Sequence, residues 1–256
     1  MHRALRLLLL GSFIVALLVS AGFGAADVER RGFIIIHGVP QIKQEGNLCG
    51  AAVLAAVMTF WGYKTTQQSV AKEVFDETLQ AASGGDLVRY ARYKGLSAYS
   101  YAGSLADLKA KLELGMPIIV LHDGGRNESI GHYRIVIGCD DASKSLIFID
   151  PLDAGIYSVS YDEFLALWKR FGNWSLLVCP SSLDVFSVEL GDTNPVVHFD
   201  LAYAYRRHGE AKLAEQESRI AVGLGGRQVL VKSESVRGAK GSSVKSANSR
   251  VSARGR

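Results

Sequence analysis

The chain has 256 residues, 48% of them hydrophobic, with a net charge of +4 and three cysteines. That excludes a disordered polymer and a disulfide scaffold, and leaves room for one ordinary domain with an appendage. Residues 1–26 carry Arg3 and Arg6 and no acid, and residues 232–256 carry seven basic side chains against Glu234, so removing +2 and +6 leaves −4 for residues 27–231. The part that must fold is mildly acidic, and nucleic acid is not an expected partner.

In chain order, residues 1–26 read as an export signal: a basic start, an apolar run over 7–19, then Ser20, Ala21, Gly22, Gly24, Ala25 and Ala26. The run is shorter than the ~20 apolar residues that span a bilayer. Cleavage near Ala21 or Ala26 is therefore expected, giving a periplasmic or secreted protein. An uncleaved signal would instead hold the chain at the inner membrane. Residues 33–37 suggest an opening strand. Residues 49–61 are apolar on every face and stop at Gly62, the pattern of a central buried helix. Further helices are expected at 67–75 and 86–94, and at 105–114 behind the cap Ser104.

From residue 117 the texture changes to short β-branched runs at 117–121, 133–137, 146–149 and 175–178, with a turn over 140–145 and a helix at 162–170. Helices first, then mostly antiparallel strands, predict an α+β domain over residues 33–180. A polar linker leads to a helical hairpin over 192–224, broken at Gly209. The spacing of Leu201, Ala202, Tyr205, Gly209, Ala214 and Ala221 resembles one tetratricopeptide repeat. A single unit cannot bury its own faces, so residues 195–222 must pack on the main domain or on a partner protein. Residues 232–256 read as a disordered basic tail.

The chemistry concentrates at residues 39–52, ValProGlnIleLysGlnGluGlyAsnLeuCysGlyAlaAla. Cys49 falls in the first turn of the buried helix, where the helix dipole and free backbone N–H groups favour a thiolate nucleophile. Gly50 would let a substrate carbonyl approach, and the Cys49 N–H with a glutamine side chain could bind the oxyanion formed on attack. A thiolate needs a base and a group to orient it. His132 opens one strand and Asp150 ends the next, so a hairpin between them brings both to one end. His122 is the rival base. Asp153 reads as a turn residue. Cys139 and Cys179 read as structural, free or paired with each other. No CxxC pair, HExxH or phosphate loop occurs, so neither a metal nor a cofactor is expected.

These residues resemble the papain-like cysteine peptidases of the bacteriocin-processing, double-glycine leader type, peptidase family thirty-nine. The resemblance rests on QxxxxCGxAxL at 44–54, TrpGly at 61–62, GHYxxVxG at 131–138 and DPxxxG at 150–155. It implies a papain-like fold and a Cys49, His132, Asp150 triad with a glutamine oxyanion donor. It also implies hydrolysis of a peptide bond through a thioester, with cleavage after two glycines. One departure stands out: the family's glutamine lies six positions before the cysteine, where this chain has Lys43. Gln44 is the expected donor over Gln41, because it needs only a one-residue adjustment of the loop. No membrane-spanning or nucleotide-binding domain accompanies these motifs, so the chain looks like a stand-alone exported member. Two alternatives stay open: a peptide-binding or assembly module that does not cut, and peptidyl transfer in place of hydrolysis.

Overall fold

This computed structural model describes residues 32–123 and 131–225. The export signal and the basic tail lie outside the described residues. The central helix α1 (Cys49–Phe60) forms from a run of small and aliphatic residues with no acid or base, so no side of it is suited to water. Residues 51–58 are each at most 1% exposed. Each fully buried Leu54, Val57 or Met58 contributes about 1.5–3 kcal/mol, so this helix anchors the domain. Gly62, at φ 85°, supplies the left-handed residue that ends it.

α2 (Gln67–Val74) starts from a Thr66 capping box. The two-residue strands β2 (Phe75–Asp76) and β3 (Ala81–Ala82) form a small hairpin after it. α3 (Gly84–Tyr93) starts from Ser83, whose hydroxyl accepts from the Asp86 N–H. Strand β4 (Leu96–Ala102) follows, so the first half of the domain is less helical than the sequence suggests. α4 (Leu105–Glu113) begins at the expected cap, Ser104. The strands β5 (Ile118–Asp123), β6 (Gly131–Asp140), β7 (Ser145–Asp150), β8 (Gly155–Ser160) and β9 (Trp174–Pro180) complete the domain, with α5 (Tyr161–Lys169) between the last two.

The main sheet runs β4-β9-β5-β6-β7-β8, antiparallel at every step. The short opening strand β1 (Phe33–Ile35) pairs with the far end of β6. A side chain at Gly138 would come within 2.4 Å of the Ile34 carbonyl, so only glycine lets β1 lie there. Cys139 on β6 and Cys179 on β9 are separated by β5, about two strand spacings or ~9.5 Å, too far for a disulfide. All three cysteines are free and buried. The architecture agrees with the expected α+β fold.

Two further helices, α6 (Pro195–Arg207) and α7 (Ala211–Gly223), form the expected C-terminal hairpin about Gly209. It packs on the main domain, where α6 lies against α3 and β4. At Gly85 an added Cβ would sit 1.9 Å from the Asp200 carbonyl, so the two backbones meet without room for a side chain. The Asp200 carboxylate accepts from the Trp174 indole at 2.9 Å, Arg207 donates to buried Asp86 at 2.9 Å, and Arg89 pairs with Glu210 at 2.7 Å. Among the described residues no helix is long and apolar enough to cross a membrane.

Candidate active site

Cys49 opens α1, and its cap residue Leu48 offers no side-chain acceptor to the first turn. The first helical hydrogen bond is donated by Ala52 to Leu48, which leaves the N–H groups of Cys49, Gly50 and Ala51 free of helical partners. Cys49 is 8% exposed, and its helix packs on β6. Gly50 does something other than expected. Its missing side chain would point at Ala82 (2.8 Å) and the Tyr133 ring (3.2 Å), so glycine here lets the helix start settle on β3 and β6 and leaves no gap for a substrate. Tyr133 is the pin beneath it, buried and donating its hydroxyl to the Ala82 carbonyl at 3.2 Å.

His132 and Asp150 come together through the β6–β7 hairpin. Its register pairs Ile135 with Ile149, which brings the start of β6 beside the end of β7. His132 Nε2 meets Asp150 Oδ1 at 2.7 Å, and the Cys49 side chain lies close enough to act on the charge of the ring, for which Nδ1 is the remaining nitrogen. Burial alone would lower the His132 pKa, but the bonds to Asp150 and to Cys49 outweigh it and raise it to about 9. The raised pKa favours the imidazolium form of the ring, which donates from both nitrogens. Asp150 also accepts from the Leu152 N–H at 2.9 Å and from Arg134 Nε at 2.6 Å. Burial opposes its charge, yet His132, the Leu152 amide and Arg134 together hold its carboxyl well below the usual carboxylate range.

Gln44 is half-buried and its loop is tied to the same corner, since the Gln44 N–H donates to the Pro151 carbonyl at 2.6 Å. Its side-chain Nε2 donates to the Gly46 carbonyl at 2.5 Å, and its Oε1 is buried without a partner, a polar atom that an arriving group would satisfy. Gln41 is exposed. The loop is clamped by a residue with no sequence motif to mark it: buried Gln67 accepts from the Glu45 N–H at 3.1 Å and donates to the Lys43 carbonyl at 2.8 Å, gripping both neighbours of Gln44.

His122, the rival base, is 2% exposed, with its ring centroid 6.5 Å from that of His132. Its ring accepts from Arg134 Nη1 and lies 6.4 Å from the Phe148 ring and 6.2 Å from that of Phe164. Burial first, then the charges of Arg134 and His132, push its pKa down to about 3, so it stays neutral. Asp153 accepts from the Gly155 N–H at 2.9 Å and from the Tyr157 hydroxyl, the bonds of a turn residue. Arg134 carried no expectation, although its place two residues beyond His132 puts both on one face of β6. Among the described residues no group of three or more His, Cys, Asp and Glu side chains is arranged to hold a metal ion.

The model of the Peptidase C39 like family matches residues 36–176, more than half of the 256-residue chain. A Bacillus anthracis chain described as a C39-like peptidase superposes with a TM-score of 0.50 at 17% identity, over 57% of this chain and 96% of that one, and so shares the fold. The peptidase domain of Streptococcus ComA, a bifunctional ABC transporter involved in a quorum sensing pathway, gives 0.47 at 22% identity over 55% and 97%. A double glycine motif protease from an AMS/PCAT transporter, in complex with its leader peptide, gives 0.46 at 22% identity over 58% and 99%. No curated protein matches the sequence.

Proposed function

The chain belongs to the Peptidase C39 like family and is a cysteine peptidase, and we propose that it cuts through Cys49, His132 and Asp150, with Gln44 at the oxyanion. The observation that carries this reading is the Asp150–His132 hydrogen bond set beside Cys49 at the uncapped start of α1. His132 holds the Cys49 proton as an imidazolium steadied by Asp150, and the thiolate attacks the scissile carbonyl. The free Cys49 N–H and the Gln44 amide take up the developing negative charge; losing one such donor costs about 10²- to 10³-fold in rate. His132 then gives its proton to the leaving amine, and afterwards draws a proton from the water that hydrolyses the thioester. Peptidyl transfer shares every step but the last, where an amine replaces water.

The substrate in this reading is a peptide or protein cut after two glycines, met outside the cytoplasm by a chain that residues 1–26 direct to export. The test is to incubate the purified protein and its Cys49→Ala variant with a diverse peptide pool and to read the cut sites by mass spectrometry. Cuts that follow paired glycines and vanish in Cys49→Ala support the reading; cuts that persist in Cys49→Ala overturn the triad. One observation favours a second reading, a groove that binds a peptide uncut: the Gln44 amide is engaged by the Gly46 carbonyl instead of standing free. That reading requires the wild type to leave the pool intact while Cys49→Ala and wild type retain the same peptides.

A further inference from the structure

We infer that Arg134 is a positioning residue of this site, seated on His122 and Phe148 so that it fixes the plane of the Asp150 carboxylate and keeps one oxygen on His132. The inference rests on the triad reading and extends it to two residues beyond the triad. A carboxylate held at one oxygen can swing, because its last torsion is broad. Asp150 is held at both: Oδ1 takes His132 (2.7 Å) and the Leu152 N–H (2.9 Å), and Oδ2 takes Arg134 Nε (2.6 Å).

The arginine is in turn held on three sides. Nη1 donates to the His122 ring, and the guanidinium lies over the Phe148 ring, 4.7 Å from its centroid. A lysine could supply the charge but not the planar fork that reaches Asp150 and His122 at once. The partner beneath is well suited. His122 stands directly opposite His132 in the β5–β6 register, so its side chain lies on the same face of the sheet as the triad histidine. Buried between the Phe148 and Phe164 rings, it serves as the acceptor that a charged imidazole could not be.

Electrostatics alone would not put a cation here. A positive charge on Asp150 dilutes the support that Asp150 gives to the His132 imidazolium. What Arg134 contributes must therefore be geometry. The other charged or titratable groups around this cluster are Asp153 in the β7–β8 turn and Tyr157 on β8, Asp123 next to His122 on β5 with its partner Arg170, and Cys49 beyond His132.

The experiment uses full-length protein with Arg134→Met, Arg134→Lys and His122→Leu. One readout is the His132 ring titration by NMR, identified by the signal lost in His132→Asn. The other is the rate of Cys49 alkylation by iodoacetamide against pH, read by mass spectrometry. Neither needs a substrate, so a protein that cuts no peptide can still pass or fail. Arg134→Met should lower the His132 midpoint by about one unit and slow Cys49 alkylation at pH 7 about tenfold, the low end of losses for orienting residues. Arg134→Lys and His122→Leu should move both in the same direction by less. A His132 midpoint that rises in Arg134→Met overturns the proposal, because it marks Arg134 as a competing charge only. Unchanged titration and alkylation overturn it too, as a scaffold role would leave both alone. Should Arg134→Met lose its near-ultraviolet circular dichroism, Arg134→Lys decides on the same criteria.

Discussion

Asp150 and Asp86 sit in nearly identical company. Asp150 accepts His132 Nε2 at Oδ1 (2.7 Å) and Arg134 Nε at Oδ2 (2.6 Å); Asp86 accepts His208 Nε2 at Oδ1 (2.9 Å) and Arg207 Nε at Oδ2 (2.9 Å). Both carboxylates are buried, at 5% and 1% exposure. In the proposed reading one cluster belongs to the peptidase site, while the other glues a helical hairpin to the domain. What separates them is the third partner. His132 stands beside the Cys49 thiol at an uncapped helix start, whereas His208 closes the C-terminus of α6 and Asp86 is taken up in the Ser83 cap of α3. An aspartate, a histidine and an arginine are therefore not a reactive signature by themselves; a nucleophile within reach of the free ring nitrogen makes them one.

The same substitution at both places should break the likeness most sharply. Asp150→Asn should cut turnover on the best peptide by about 10³- to 10⁴-fold, because the amide orients the wrong tautomer of His132. Asp86→Asn should leave turnover per folded molecule unchanged while lowering urea-unfolding stability by about 3 kcal/mol, since it leaves Arg207 and His208 facing a neutral group. Equal losses of turnover in both variants would sink the distinction.

A smaller effect separates the two regions without touching charge. Gly85→Ala places a methyl group 1.9 Å from the Asp200 carbonyl, and the forced shift should cost about 1–3 kcal/mol. The hairpin should loosen first, seen as faster proteolysis within residues 195–225, while iodoacetamide still labels Cys49 at the wild-type rate. If Gly85→Ala slows that labelling instead, the hairpin interface and the site are coupled.

How much of this could be read from the residues depends on the kind of signal. The buried helix at Cys49, the strands carrying His132 and Asp150, and the cap at Ser104 all follow from local patterns of period, stop and cap, and the structure contains them. β4 did not announce itself: LeuSerAlaTyrSerTyrAla has neither the aliphatic density of a core strand nor a clean alternation, and it is a strand because β9 and α6 cover it. β8 is an exposed edge whose pattern carries little apolar contrast. Gly50 was read as room for substrate when it is room for Tyr133. Gln67, Arg134 and the role of His122 escaped for one reason. Each acts on a residue distant in sequence, and a single hydrogen bond across the fold leaves no periodic trace.

The mildest test of the comparison is pH. Burial opposes the charge on His132, but Asp150 and Cys49 raise its pKa from 6.5 to about 9. A folded pKa above the unfolded one means that this group stabilises the fold fully below pH 6.5 and loses that contribution as pH rises through about 9. The depressed Asp150 works the other way, contributing above its unfolded pKa of about 3.9 and losing the contribution as pH falls below it. Peptide turnover should therefore be steady across neutral pH and fall to half near pH 9, as the proton needed by the leaving amine is lost from His132. Asp150→Asn should move that limb down toward pH 6.5, and Asp86→Asn, with its parallel set of partners, should leave it where it is. A limb that moves in Asp86→Asn would mean that the hairpin cluster reaches the site through the fold, and the two aspartates would no longer be separable.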